Sequence, residues 1–315
     1  MRKPVYINAI SSFHPDGEIN EEGILRTPDY NYNEIIPNPN LRRRMSRIVK
    51  MGVACGLDCL SKCDNKEINA IITATGLGYL TDMEKFLNNI VENNEQLLNP
   101  TAFIQSTFNV VGSQIALLTN NHTYNNTYVH RGLSFESALI DSMMRIWEGD
   151  KQVLVGAMDE ITPTSHIIMK RLGLTENIAL GEGAHFFILA EEKDENSYAE
   201  LKSVKTFTGK LSSEEVARKA QSFLSENNLD KANINHLITG RNGNRNQDII
   251  YNDIENFFPS ATISSFKDIC GEYQTASAFA LWQGAAIIKE KGNNSLLIYN
   301  HYNNINHSLI LLNKC

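Results

Sequence analysis

The chain has no cysteine between Cys63 and Cys270, so the middle of this 315-residue sequence offers no thiol nucleophile. Three of its five cysteines, Cys55, Cys59 and Cys63, recur four residues apart on a predicted helix and therefore share one face. This spacing matches no zinc pattern, and we interpret the three as small buried residues. We expect no disulfide framework and no metal site.

Long apolar runs are also missing, since no segment approaches the ~20 residues that a membrane-spanning helix needs. The basic start of the chain is followed by too short an apolar stretch for a signal peptide. A net charge of -7 argues against nucleic acid or an anionic membrane as the main partner. With 42% hydrophobic residues to form a core, the sequence predicts a cytoplasmic globular protein.

Short apolar strand patterns alternate with helical patterns along the whole chain. One helix start is marked by Ser212 and Glu215, which stand three residues apart as in a capping box. Alternation of this kind predicts a layered α/β fold. It divides into two similar halves, residues 1–180 and 181–315, while residues 14–40 are polar and predict a long loop.

A strand, a sharp turn, a helix and another strand follow one another in the middle of the sequence. The first strand ends near His130, Gly132 suits the turn, a helix begins near Ser134, and residues 153–156 form the second strand. The residue at such a turn lies beside a helix N-terminus, where unpaired N–H groups favour negative charge. A cysteine there would have a lowered pKa and accept acyl groups readily. This chain has Arg131 instead.

Several motifs occur in a recognisable order: a strand and glycine turn at residues 71–78, an Asn-Pro segment at 99–109, Gly181-Glu-Gly-Ala184, and a Lys-x-x-x-Gly segment that begins at Lys267. In this order the chain resembles the β-ketoacyl-acyl-carrier-protein synthases of the thiolase fold, above all their non-catalytic, chain-length-factor-like relatives. The resemblance implies two βαβ halves layered α-β-α-β-α as one compact unit.

Three positions decide the chemistry of that family. The resemblance places the acyl-carrying cysteine on Arg131, the first catalytic histidine on Asn242 and the second on Glu272, and retains only the lysine, Lys267. Loss of one oxyanion donor typically costs ~10²–10³ in rate. Arginine stays protonated and does not replace a thiolate. We therefore expect a degenerate site with no catalytic residues and no cofactor.

The same resemblance implies partners. Synthases of this family dimerise through the strand before the nucleophile turn, which here contributes Tyr124, Thr127, Tyr128, Val129 and His130. Degenerate members pair with an active β-ketoacyl synthase, shape its acyl or polyene tunnel in fatty-acid, polyketide or aryl-polyene-like biosynthesis, and meet an acyl carrier protein. Self-pairing remains an alternative.

Arg131 would lie near that tunnel, and we expect it to pair with Glu272, since the family site brings the two positions face to face.

Three local motifs have competing interpretations. Gly76-Leu-Gly78 resembles a dinucleotide-binding turn but has Thr81 at the third position. Arg241 and Arg245 are candidates to contact a phosphopantetheine arm, although a solvated Asn-Gly turn explains the same segment and is favoured. The pair Asp159-Glu160 is interpreted as a strand end rather than an acid pair.

Two other functions stay open. One is an acyltransferase or condensing enzyme with a relocated active site that uses His130, His185 or Ser134. The other is a homodimer that holds an acyl ligand or carrier protein.

Overall fold

Strands and helices alternate from end to end in the computed structural model, which describes residues 3–63, 67–98, 100–292 and 294–315. Asn99, the first residue of the Asn-Pro segment, lies outside the described residues. The strands are β1 (Tyr6–Phe13), β2 (Ile24–Leu25), β3 (Ala70–Ala74), β4 (Tyr124–Tyr128), β5 (Gln152–Asp159), β6 (Leu180–Gly181), β7 (Gly183–Ala190), β8 (Ala199–Thr208), β9 (His236–Thr239), β10 (Thr262–Ser265), β11 (Ser295–Tyr302) and β12 (Asn306–Asn313).

The α-helices are α1 (Pro39–Arg42), α2 (Arg47–Ser61), α3 (Leu80–Glu92), α4 (Pro100–Gln105), α5 (Val110–Thr119), α6 (Ser134–Glu148), α7 (Pro163–Arg171), α8 (Ser213–Glu226), α9 (Arg245–Phe257), α10 (Lys267–Cys270) and α11 (Ser277–Lys291). Short 3-10 helices span Arg131–Leu133 and Lys231–Asn233.

One pattern of five strands occurs twice in the main sheet. The ten strands lie in the order β10-β9-β11-β12-β8-β1-β7-β5-β3-β4. The first repeat consists of β1, β3, β4, β5 and β7, and the second consists of β8 to β12. In each repeat the second strand pairs in parallel with the third and the fourth, and the fifth strand pairs antiparallel with the fourth and the first. The repeats join where Tyr6 of β1 faces Glu200 of β8.

The strand repeat divides later than the sequence-based boundary at residue 180. Strand β7 pairs with β5 and β1, with Gly156 opposite Phe186, and so completes the first repeat. The second repeat starts with β8, so the division falls between Ala190 and Ala199. The boundary depends on which strands pair across the sheet, and these partners lie far apart in the sequence. Local strand patterns do not indicate which strands pair.

The core confirms the layered α/β architecture. Helices α6 and α11 are buried between the two half-sheets, where Phe135 and Leu139 of α6 share one cluster with Phe279 and Leu281 of α11 and with residues of both repeats. Helices α2 and α5 cover the outer face of the first half-sheet, and α8 and α9 cover that of the second. The order of layers is therefore α-β-α-β-α.

Local sequence signals explain where individual helices begin. Ser212 caps α8 in a capping box with Glu215, as predicted. Ser134, near which a helix was expected to begin, is the first residue of α6. Its Oγ accepts from the backbone N–H of His130 at 2.7 Å and donates to the carbonyl of Arg131 at 2.8 Å. Ser134 thus stabilises the turn that precedes α6.

The cysteine stripe is part of the core. Cys55, Cys59 and Cys63 are buried, and burial raises the pKa of Cys55 to about 12, which makes its thiol unreactive. Among the described residues, no group of three or more histidine, cysteine, aspartate or glutamate side chains is arranged to hold a metal ion. In the same part of the chain, no helix combines the length and apolar character needed to cross a membrane.

A buried glutamate anchors the polar segment 14–40. Glu182, fully buried, lies 2.7 Å from Arg47 and 3.5 Å from Arg26, and it accepts from the backbone N–H of Thr27 at 3.1 Å. Within the segment, β2 pairs with β6 beside this carboxylate. The predicted long loop is therefore held against the core by charge.

We expect Glu182→Ala to lower the free energy of unfolding by about 3 kcal/mol, because it removes the shared carboxylate of two arginines and the acceptor of a buried N–H. Urea unfolding measures this. Glu22→Ala is the matched control, since Glu22 also pairs with Arg26, but at 3.7 Å and on the surface, where about 1 kcal/mol or less is expected. Equal losses in the two variants would contradict the anchoring role.

Candidate functional site

Arg131 occupies the turn between β4 and α6. It begins the 3-10 helix Arg131–Leu133 with φ of +49°, a left-handed conformation that non-glycine residues rarely adopt. Its side chain is exposed and makes no hydrogen bond or ion pair with the residues that the structure describes. The expected ion pair between Arg131 and Glu272 is therefore not formed.

Glu272 instead belongs to a buried polar cluster. One of its carboxylate oxygens, Oε2, accepts from Lys267 Nζ at 2.9 Å and from Asn242 Nδ2 at 2.8 Å. Lys267 also donates to the carbonyl of His301 at 3.1 Å, and Asn242 donates to Gln247 at 2.9 Å. Three of the four predicted site positions, Asn242, Glu272 and Lys267, therefore lie in direct contact, and Arg131 stands apart.

Tight turns of the second repeat position this cluster. Asn242 follows Gly240, where a β-carbon would lie 2.3 Å from Asn300 Oδ1. Lys267 opens α10, and Glu272 follows Gly271, whose φ is +79° and whose Cα lies against Gly181. Backbone approaches backbone at Gly271, and side chains crowd Gly240, so neither position has room for a side chain larger than hydrogen. Glu272 Oε1 is buried and has no hydrogen-bond partner among the described residues.

Two residues that the sequence did not single out lie between Arg131 and the cluster. Tyr302, at the end of β11, packs against Gly132, where a β-carbon would lie 2.6 Å from that of the tyrosine. Gln274 donates to the Tyr302 hydroxyl at 3.0 Å and packs against Gly76. Both are nearly buried and come together only through the fold.

A third such residue is Glu136, fully buried in α6. Burial raises the pKa of Glu136, against the opposing effects of Ser277, Ser308 and Lys267. A buried acid therefore lies close enough to the lysine of the cluster to interact with its charge. The only feature of the sequence that could have identified Glu136 is its place in the first turn of α6, a helix with apolar residues on several sides.

Asp159 ties the two repeats together beside the site. Its Oδ1 accepts from Thr75 Oγ1 and from the backbone N–H of Gly76, each at 2.8 Å, and its Oδ2 accepts from Thr275 Oγ1 at 2.7 Å and Thr275 N–H at 3.1 Å. Every one of these donors is buried. Asp159 ends β5, and its carboxylate is fully engaged in holding the turn after β3 to the start of α11.

Arg241 and Arg245, the candidates for a phosphopantetheine contact, have different surroundings. Arg241 forms an ion pair with Glu255 at 2.9 Å, and Arg245 is exposed at the start of α9. Asn244 caps that helix. The two arginines thus flank an exposed turn and stay candidates for a phosphate contact.

The relocated-nucleophile candidates do not form a catalytic pair. His185 is fully buried, with Nδ1 2.8 Å from Ser12 Oγ and Nε2 2.7 Å from the Tyr273 hydroxyl. Ser134 Oγ donates to a backbone carbonyl, and His130 is exposed with Nδ1 3.3 Å from Ser137 Oγ. Burial also lowers the pKa of His185 well below its usual value, which favours the neutral imidazole of a core residue.

The predicted dimer strand lies at the edge of the sheet. Strand β4 pairs with β3 on one side, and Tyr124 and Val129 are partly exposed. The glycines of the suspected nucleotide loop are explained by packing, since Gly78 has φ of +80° and lies against the Phe108 ring.

Two five-strand repeats in five layers, with a turn and helix N-terminus after β4, define the thiolase-like class of α/β proteins. The family model for the beta-ketoacyl synthase N-terminal domain matches residues 29–228. The chain belongs to the β-ketoacyl synthase family.

Comparison with solved structures supports the same fold. The ishigamide ketosynthase/chain length factor is similar over 99% of both chains, with a TM-score of 0.83 and 14% identity. A type II polyketide ketosynthase, AntDE, in complex with its acyl-carrier protein AntF, matches over 100% of both chains with a TM-score of 0.80 and 13% identity. A beta-ketoacyl synthase from Burkholderia phymatum STM815 covers 99% of this chain and 100% of its own, with a TM-score of 0.79 and 12% identity. Comparison with curated proteins finds no match.

We expect Lys267→Met to lower the free energy of unfolding by about 3–5 kcal/mol, because it leaves the Glu272 carboxylate buried without its cation. The double variant Lys267→Met/Glu272→Met should lose less than the single one, which a double-mutant cycle in urea measures. Lys205→Met is the control, as its partner Glu226 is on the surface, and about 1 kcal/mol or less is expected. Additive losses in the cycle would argue against the pair.

Glu160 gives a pH-dependent prediction. Burial raises the pKa of Glu160 to about 7 from 4.5, and Glu182 and Asp82 act in the same direction. The folded chain thus binds more protons than the unfolded chain between these pH values, so stability falls as the pH rises from about 5 through 7, by on the order of 3 kcal/mol. Glu160→Gln should remove this part of the slope in urea unfolding at pH 5 and pH 8, and parallel slopes would refute the assignment.

Proposed function

We propose that the chain is a non-catalytic, chain-length-factor-like subunit that pairs with an active β-ketoacyl synthase. In this role it shapes the tunnel for a growing acyl or polyene chain in fatty-acid, polyketide or aryl-polyene-like biosynthesis. The family membership supplies the scaffold, and the residues at the three degenerate positions supply the argument against catalysis.

One observation carries the proposal: the buried carboxylate of Glu272 is held through Oε2 by hydrogen bonds from Lys267 and Asn242. A carboxylate there destabilises an enolate oxygen, whereas catalysis requires hydrogen-bond donors aimed at it. Arg131 at the nucleophile turn has no lone pair to form an acyl-enzyme. Nucleophile and oxyanion donors are thus replaced together.

The edge strand β4 supports pairing with a second subunit. An exposed strand edge presents unpaired N–H and C=O groups, and a neighbouring strand satisfies them. Tyr124, Thr127, Tyr128, Val129 and His130 would form this contact. Two similar structures, the ishigamide ketosynthase/chain length factor and AntDE with its acyl-carrier protein AntF, pair a ketosynthase with such partners, which fits such an assembly.

A cationic groove supports contact with an acyl carrier protein. It has a volume of about 430 Å³, and its lining includes Tyr30, Tyr32, Arg42, Arg43 and Lys50. On a chain with a net charge of -7, a local cationic surface favours a partner with an acidic surface.

Mass spectrometry after incubation with acyl- and malonyl-carrier proteins tests the proposal. We expect no acyl adduct on this chain, a stable complex with a cysteine-bearing synthase, and a changed product length when both are present. An acylated chain or a condensed product from this protein alone would refute the non-catalytic role.

The variant Arg131→Cys tests separately whether the nucleophile and the oxyanion donors are missing. In a Cys315→Ser background, which removes the exposed thiol, the new cysteine at a helix N-terminus should accept an acyl group. Decarboxylation of malonyl-carrier protein should remain absent, because Asn242 and Glu272 do not supply the two oxyanion donors, each worth ~10²–10³ in rate. The Cys315→Ser protein alone is the control, and condensation by the Arg131→Cys variant would show that the remaining site is competent.

A further inference from the structure

A long stretch of the chain that includes β4 carries only one formal charge, although Asp141 and Arg145 of α6 also lie beside Tyr124. Between Glu95 and Glu136, the only aspartate, glutamate, lysine or arginine is Arg131. This stretch forms α4, α5 and β4, and it exposes large apolar side chains. Leu117 is 74% exposed, Ile104 56% and Phe103 54%. Depletion of charge together with exposed apolar and aromatic residues is the composition of an interface core.

Arg131 follows the edge strand β4 and is the one charged residue of this otherwise neutral stretch. Its cationic guanidinium is exposed and has no acidic partner among the described residues. A subunit that covers β4 also removes water from Arg131. An arginine buried in this way requires a carboxylate, since the desolvation of an unpaired charge is costly.

A second copy of the chain is poorly suited to supply that carboxylate. The stretch that self-pairing would bring opposite has no acid. On the flanking helix α6, Glu136 is fully buried, and the next acid, Asp141, already accepts from the Tyr124 hydroxyl at 3.1 Å. Arg145, whose guanidinium lies 4.8 Å from the Tyr124 ring, is bound to Asp150 at 2.7 Å.

We propose that a different polypeptide completes this surface and places a carboxylate against Arg131, so that Arg131 selects the partner and disfavours self-pairing. The inference rests on the proposed function, because the partner is the active synthase, and it adds the chemical feature by which that synthase is recognised. The residue that replaces the nucleophile thereby acquires a role in assembly.

Charge reversal tests the selection. The wild-type chain and Arg131→Glu are titrated with a synthase that retains its cysteine, and association is followed by light scattering during size-exclusion chromatography. We expect a one-to-one complex for the wild type and at least about thirtyfold weaker binding for Arg131→Glu, as for other buried interface charge pairs. Reversal of the partner's carboxylate to lysine should restore binding of Arg131→Glu.

Arg171→Glu is the matched control, since Arg171 is also exposed but ends α7, outside the neutral stretch, and should bind normally. Thermal melts verify that each variant is folded. Equal binding of wild type and Arg131→Glu would overturn the inference and leave the proposed function intact. A stable homodimer of the wild type alone that Arg131→Glu does not weaken would also overturn it. Failure of the wild type to bind any synthase would remove the proposed function itself.

Discussion

The structure around the site depends on the carboxylate of Asp159. Four donors from Thr75, Gly76 and Thr275 converge on it, so one buried acid fixes the turn after β3, the end of β5 and the approach to α11. These segments come from both repeats. Since α11 is packed between the two half-sheets, Asp159 links the end of β5 to the layer that joins the two repeats. None of the positions Arg131, Asn242, Glu272 and Lys267 takes part in these four hydrogen bonds.

Much of the fold was accessible from the sequence because local signals determined it. The apolar strand at 153–156, the capping box at Ser212 and the turn before α6 each depend on neighbours within a few residues. The division of the repeats was not accessible in this way. Strand β7 belongs to the first repeat through its pairing with β5 and β1, and the sequence of β7 does not specify those partners.

The site was predicted less completely, for a physical reason. The positions Arg131, Asn242, Glu272 and Lys267 follow from motif order, but their contacts follow from tertiary structure. Glu272 bonds to Lys267 and Asn242 rather than to Arg131 because the two turns of the second repeat bring those side chains within 3 Å. Tyr302 packs against Gly132 and Gln274 packs against Gly76. Each comes from a segment far from its turn in the sequence, and no local pattern marks either residue.

The buried pair of Lys267 and Glu272 also constrains which substitutions the chain tolerates. A neutral residue at position 272 would leave the Lys267 ammonium in the core without this carboxylate, and removal of the lysine first would leave the carboxylate unpaired. Either single substitution is therefore expected to destabilise the protein, whereas a simultaneous change of both residues avoids a lone buried charge. Positions 267 and 272 are thus expected to co-vary among related chains, so that the pair is inherited or replaced as a unit.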